Sequence, residues 1–462
     1  MCSGNRVSRL HAIGAVLAIL GCQAGEAAAA NVPATPGSLG NHVWGMYTPV
    51  GDLPTGATGA FATGVFAHAS NGLTLPVPVG PSFTVSGISA SGSGFQHISA
   101  RGASGYAPGA TPVVGTGFPG VNTPANDWPQ QHELRTREVR YQFSGPLPDG
   151  AILWVLDTDG SETLVARFYD CSATPALINP SAFDSYFLST AAAHLPVLTF
   201  SATSVQVTAP TPSQDRPNAT VGIVIRSDSV CRVEVDSTVG DGSQDVFFSI
   251  PAPLVTVNKG LGTNRIADGD QFTTRILTGG EVANSTAAST TAGSGSTVTA
   301  GTGTTGPTPV RQGEAHVISE APAGSTQLDN YVQEIACANA NAGSPTVLPS
   351  GSGQDFTITP LHPLDDITCT LTNHAKPKVT ITKVSNGQVG TFSFSGDNGI
   401  VAHDITTVTP GAGVDGPMQV LDAPGVPTTL SEEGPLPGNS NWPDGRPLES
   451  VIITKASSPY RR

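Results

Sequence analysis

Apolar and polar residues alternate along this chain in short runs. Leu254-Val255-Thr256-Val257-Asn258-Lys259 and Lys378-Val379-Thr380-Ile381-Thr382-Lys383 are two such runs, each after a proline (Pro253, Pro377) and each closed by a lysine. A period of two places every second side chain on the same face of a strand. Similar runs predict strands over 60–68, 82–88, 137–145, 151–157, 162–169, 197–208, 220–226, 231–236 and 245–250. Others follow at 254–258, 270–277, 297–301, 314–320, 331–339, 354–359 and 366–373. Gly, Pro, Asn and Asp separate the runs, and almost no window carries a helical period between caps, so the chain reads as all-β.

The lysines closing the two opening runs stand 124 positions apart, a domain-sized spacing that reads as tandem modules. The organisation expected is a signal peptide over 1–30, a flexible leader over 31–40 and an N-terminal β-sandwich over 41–252. A complete module over 253–375 follows, then an incomplete one over 376–437 and an atypical tail over 438–462. The Ser/Thr/Gly stretch 285–308 reads either as a linker or as exposed hairpins with small side chains. The hairpins are the expectation, because the strand pattern resumes directly after it.

Composition narrows the function. Arg6 and Arg9 precede a short apolar segment, and Ala28-Ala29-Ala30 offers a cleavage site before Asn31, as in a secretory signal. Ile19-Leu20-Gly21-Cys22 resembles a bacterial lipobox, so lipidation at Cys22 stands as the alternative to plain secretion. Cleavage would take the net charge from −14 to −15, which excludes a basic nucleic-acid-binding face. No later apolar run is long enough to cross a membrane. Four cysteines remain, and in an exported chain an even count implies disulfides. Cys171–Cys231 and Cys337–Cys369 are the expected pairs, each within one proposed domain.

A resemblance rests on three elements of the second region: Val255-Thr256-Val257-Asn258-Lys259, Ser319-Glu320-Ala321-Pro322-Ala323-Gly324, and Asp366-Ile367-Thr368-Cys369-Thr370-Leu371-Thr372-Asn373. These resemble the prealbumin-like (transthyretin-like) β-sandwich modules of bacterial surface proteins, the SpaA/Cna B-type group. Lys383, Gly390-Thr391-Phe392-Ser393-Phe394 and Leu430-Ser431-Glu432 resemble the start of another copy. The resemblance implies a spontaneous isopeptide bond between Lys259 and Asn373, assisted by Glu320. The alternative is a surface lysine, its ion-pair partner and a turn-capping asparagine, with the Cys337–Cys369 bridge as the staple.

Other chemistry is sparse. Asp157, Asp159 and Glu162 alternate as in a calcium loop, but the full ligand set is missing and Asp-Gly between strands is a hairpin signal. The hairpin is the reading taken, and no metal or cofactor is expected. Trp44 and Trp128, with Tyr141, are candidates for stacking on sugars. The expectation is a non-enzymatic secreted or cell-surface protein, adhesin-like by resemblance, whose partner is an extracellular protein or glycan. A carbohydrate- or polymer-binding exported protein is the alternative. A hydrolase would need a cleft where a histidine meets a carboxylate or serine.

Overall fold

A computed structural model describes residues 31–32, 41–52, 59–69, 75–88, 96–98, 132–134, 137–156, 158, 162–187, 196–209, 221–238, 244–284, 287–387, 389–423, 426–434 and 451–455. The expectations for residues 1–30, Cys22, Trp128, Asp157 and Asp159 lie outside them. The architecture is all-β, as the alternation requires, and no described helix is long and apolar enough to cross a membrane.

In the N-terminal region sixteen described strands join one hydrogen-bonded sheet. The sheet curls over itself. Leu153, Val155, Ile223 and Phe248 from one flank share a core with Val139, Tyr141, Leu164 and Val233 from the other. Tyr141 and Phe248 meet across it, ring centroids 5.0 Å apart. The strand Ala151–Leu156 is buried along its whole length. Its alternate residues Ile152, Trp154 and Leu156 turn to the opposite face and join Trp44, Tyr186, Val224 and Phe247 in a second apolar cluster. This flank is thus buried on both faces, which continuous apolar runs allow and strict alternation does not.

That arrangement corrects the expectation for Trp44. Its ring has 0% exposure and lies 5.6 Å from Phe247 and 6.5 Å from Trp154, so it cannot stack on a sugar. Further expectations change. The run 197–208 is two antiparallel strands, Val197–Phe200 and Val205–Thr208, because the Ser201 hydroxyl accepts the backbone N–H groups of Thr203 and Ser204 and turns the chain. Asn31–Val32, placed in a flexible leader, pairs in parallel with the strand Asp184–Phe187. In the tail, Val451–Lys455 forms a strand.

The strands of the C-terminal part are numbered from the first module onward. One sheet of that module contains β1 (Leu254–Leu261), β4 (Thr308–Pro309), β6 (Tyr331–Asn339), β7 (Ser350–Ser352) and β9 (Asp366–Ala375), in the order β4-β1-β9-β6-β7. The other contains β2 (Asp270–Thr278), β3 (Glu281–Val282), β5 (His316–Gly324) and β8 (Phe356–Ile358), in the order β3-β2-β5-β8. Val255, Val257, Ile276, Ile318, Ile335 and Leu371 fill the space between. β1 and β9 run parallel; β9 and β6 run antiparallel and carry the Cys337–Cys369 disulfide directly across the pair. Cys171 and Cys231 are bonded in the N-terminal region.

The stretch 285–308 is neither linker nor free hairpin over its described residues. The run 297–301 is a turn and not a strand: Thr297 N–H donates to Ser294 and Thr299 N–H to Ala292. The segment then lies along β1, with Lys259 N–H donating to Gly303 and Thr305 N–H to Val257. Its small side chains are what allow it to pack so close.

The second module has β10 (Lys378–Val384), β13 (Gly413–Asp415), β14 (Gln419–Val420) and β16 (Val451–Lys455) in one sheet. The other holds β11 (Thr391–Gly396), β12 (His403–Thr406) and β15 (Leu430–Glu433). Its core is small: Ile381, Phe392, Phe394 and Ile405, with Val414 and Leu430 against them.

Candidate functional site

The pleat of β1 points Val255, Val257 and Lys259 to the same inward face. The pleat of β9 does the same for Ile367, Cys369, Leu371 and Asn373. Parallel pairing sets Lys259 opposite Leu371 and Leu261 opposite Asn373, so lysine and asparagine stand diagonally adjacent inside the sandwich. From the facing sheet β5 turns Glu320 toward them. The sequence-derived trio therefore converges, from strands separated by more than a hundred residues at the extremes.

Lys259 Nζ lies 2.9 Å from Glu320 Oε2, and neither side chain is exposed. Asn373 Nδ2 donates to Glu320 Oε1 at 2.7 Å. Lys259 Nζ also donates to the Leu371 carbonyl at 2.9 Å and sits 5.1 Å from the centre of the Phe272 ring. Burial pulls the lysine down to about 8, against Glu320, whose charge and hydrogen bond raise it. At pH 7 roughly one lysine in ten is then neutral within the folded state. Asn373 Oδ1 is buried with no hydrogen-bond partner among the described residues. Oxygen and nitrogen of an amide exchange by a half-turn of the group. That turn would set the carboxamide oxygen against Glu320, where a protonated carboxyl can donate to it.

Gly303 closes the site at β1. It holds φ +66°, and a Cβ there would come within 2.9 Å of Lys259 Cβ and 2.7 Å of Thr291 Cγ2. Only glycine combines that conformation with that approach. The Leu371 carbonyl, Phe272 and Gly303 were not among the residues singled out from sequence. Only the aromatic had a usable signal, a lone apolar residue in a polar run at Gln271-Phe272-Thr273.

In the second module Lys383 and Glu432 meet in the same way, Nζ to Oε1 at 2.8 Å, each side chain 3% exposed. Glu162, the described member of the calcium candidates, is buried at 1% exposure. Among the described residues a histidine meets a serine where the His42 ring lies 3.0 Å from Ser249 Oγ, which also accepts the Trp154 N–H. Both are at most 1% exposed, so the contact belongs to the core.

Residues 254–375 match a family of prealbumin-like fold domains, and residues 379–443 match a second family of that description. The C-terminal part is thus a pair of prealbumin-like domains, as the residues of β1, β5 and β9 implied. The crystal structure of the N-terminal domain of the Streptococcus gordonii adhesin Sgo0707 aligns with 85% of this chain and 98% of its own, at 8% identity and a TM-score of 0.24. No curated protein matches the chain.

Proposed function

We propose that this protein is a bacterial cell-surface, adhesin-like chain whose prealbumin-like modules act as a stalk for the N-terminal domain. Its first module is closed by an isopeptide bond between Lys259 and Asn373. The observation that carries this reading is the sealed contact of Lys259, Glu320 and Asn373 between two sheets. An ordinary ion pair sits at a surface, where it is worth little. A buried one is costly to build, so it calls for a role beyond stability.

The chemistry is self-contained. Lys259 passes a proton to Glu320 and becomes a neutral amine. The protonated carboxyl then donates to the Asn373 carboxamide oxygen and polarises the carbon. The Nζ–Cγ bond forms, the Cγ–Nδ2 bond breaks, and one ammonia leaves with the proton that Glu320 returns. No oxidant or external reactant enters. The protein modifies itself and turns over no outside substrate. The product joins β1 to β9, so tension along the chain meets a covalent link and not only hydrogen bonds.

The test is the intact mass of the reduced, denatured full chain. A mass short by one ammonia, with Lys259 and Asn373 recovered in one crosslinked peptide pair, supports the reading. An unshifted mass would return the trio to a structural ion pair and leave the disulfide as the module's staple.

A further inference from the structure

One inward position of β6 is out of keeping with its neighbours. The pleat of β6 turns Tyr331, Gln333 and Ile335 to the buried face. Tyr331 donates its hydroxyl proton to Asp270, and Ile335 joins the apolar core. Gln333 is 4% exposed, and its Oε1 is buried with no hydrogen-bond donor among the described residues. A buried amide oxygen left without a donor is destabilising, so its presence asks for a reason.

The register supplies one. Gln333 lies directly opposite Asn373 in the antiparallel pairing of β6 with β9. Four residues along, on the same face, Cys337 lies opposite Cys369 and the two are bonded, so opposed inward side chains of this pair meet. Asn373 thus stands between two strands: Lys259 comes from β1 on one side and Gln333 from β6 on the other. Asn373 Nδ2 is taken up by Glu320 Oε1, while Asn373 Oδ1, like Gln333 Oε1, has no donor. One half-turn of the Asn373 carboxamide resolves both vacancies. It sets Oδ1 against Glu320 and carries Nδ2 to the side of Gln333. The orientation with Nδ2 on Glu320 suits an ionised carboxylate, which only accepts. Once Glu320 holds the lysine proton it is a donor, and the turned amide is the better partner.

We propose that Gln333 is a further catalytic residue of the crosslinking reaction, which holds the Asn373 carboxamide in its reactive orientation by accepting a hydrogen bond from Nδ2. The proton passes from Lys259 to Glu320 and the carboxamide turns. Oδ1 then takes the Glu320 O–H, and Nδ2 gives an N–H to Gln333 Oε1. The Nζ–Cγ bond forms, the Cγ–Nδ2 bond breaks, and Nδ2 departs as the one ammonia of the reaction. Gln333 is itself unchanged. Fixing the reacting group before the bond is made is a gain in rate and not in stability. The inference rests on the reaction proposed for the first module and adds a residue to it.

The crosslink is irreversible, so its rate is read on newly made full-length chain, by brief cell-free synthesis in an oxidising buffer and intact mass against time. Gln333→Met keeps the length of the side chain and loses the amide oxygen. It should shed ammonia about tenfold more slowly, the worth of one buried hydrogen bond. Gln333→Glu returns an acceptor at the same reach and should recover most of that rate. A second readout separates orientation from architecture: the uncrosslinked fraction, sampled early, is given a short protease pulse in graded urea. The Gln333→Met fraction should survive as well as the parent's, because Gln333 Oε1 has no donor before the carboxamide turns. The parent rate in Gln333→Met, no recovery in Gln333→Glu, or a slow Gln333→Met chain whose uncrosslinked fraction is cut at lower urea would each overturn the proposal. The last would make Gln333 an ordinary core side chain. The two readings part cleanly. A parent chain that never loses ammonia removes the reaction of the first module itself, whereas equal loss from parent and Gln333→Met sinks only this inference.

Discussion

Glu320→Gln separates the two properties that the first module combines, a neutral nucleophile and a proton carrier. Glutamine preserves shape and can still hydrogen-bond Asn373. Removing the carboxylate also removes the interactions that raise the Lys259 pKa against burial, so the lysine becomes more often neutral. If neutrality alone set the rate, this variant would crosslink at least as fast as the parent chain. If proton transfer through Glu320 matters, ammonia loss slows by about 10²- to 10⁴-fold. Stability gives a second readout. A link from residue 259 to residue 373 closes a loop of 114 positions, and by the loop-entropy relation its absence costs about 5 kcal/mol. The disulfide inside the loop trims this only slightly, because the cost grows with the logarithm of loop length. Breaking a buried pair adds ~3–5 kcal/mol, capped by the lysine's option to shed its proton. The assay is intact mass against time after reduction, with a thermal melt of the same samples. A Glu320→Gln chain that loses ammonia at the parent rate and melts with the parent would refute the reasoning.

Three further outcomes follow from the same geometry. Lys259→Met/Glu320→Gln should abolish ammonia loss yet melt higher than an uncrosslinked Glu320→Gln chain, because it leaves neither an unpaired buried amine nor an unpaired buried carboxylate where both side chains are sealed from water; equal melts would contradict the desolvation argument. In an Asn373→Ala chain Lys259 keeps its proton-binding site, with a folded value of about 8 against 10.5 unfolded. Between those values the unfolded chain binds more protons, so stability should rise with pH there, by about 3 kcal/mol in all. Urea titrations at several pH values, against Asn373→Ala/Lys259→Met, check this, and parallel curves would sink it. Gly303→Ala meets both a left-handed φ and a 2.7 Å approach to Thr291; it should cost about 2 kcal/mol and slow the ammonia loss, which wild-type kinetics would disprove.

Likeness to prealbumin-like modules singles out the three residues of the site, and the alternation along the chain shows how they are turned. Lys259, Glu320 and Asn373 each end or punctuate an alternating run, and alternation settles which face a residue takes. What alternation does not settle is which strands are neighbours. Trp44 lies in a strand, His42–Thr48, that is not among the runs read as strands, and it packs between elements from distant parts of the chain. The turn at Ser201 was hidden because a run of β-formers continues through it. In 285–308 low complexity reads as exposed hairpins, whereas the small side chains let the segment fit against β1.

By itself, then, the sequence pointed to the all-β class, the two copies of a lysine-ended strand and both disulfide pairs, while Lys259, Glu320 and Asn373 were singled out by likeness to prealbumin-like modules. The first follow from local periodicity, an even cysteine count and the placement of each pair within one domain. Only the tertiary structure decided that β9 lies parallel beside β1 while β16 lies antiparallel beside β10. The parallel pairing puts an amide next to Lys259, and strand direction is set by how the whole sandwich packs. The lowered proton affinity of Lys259 was likewise a tertiary property, since it arises from the apolar sheets that exclude water around it.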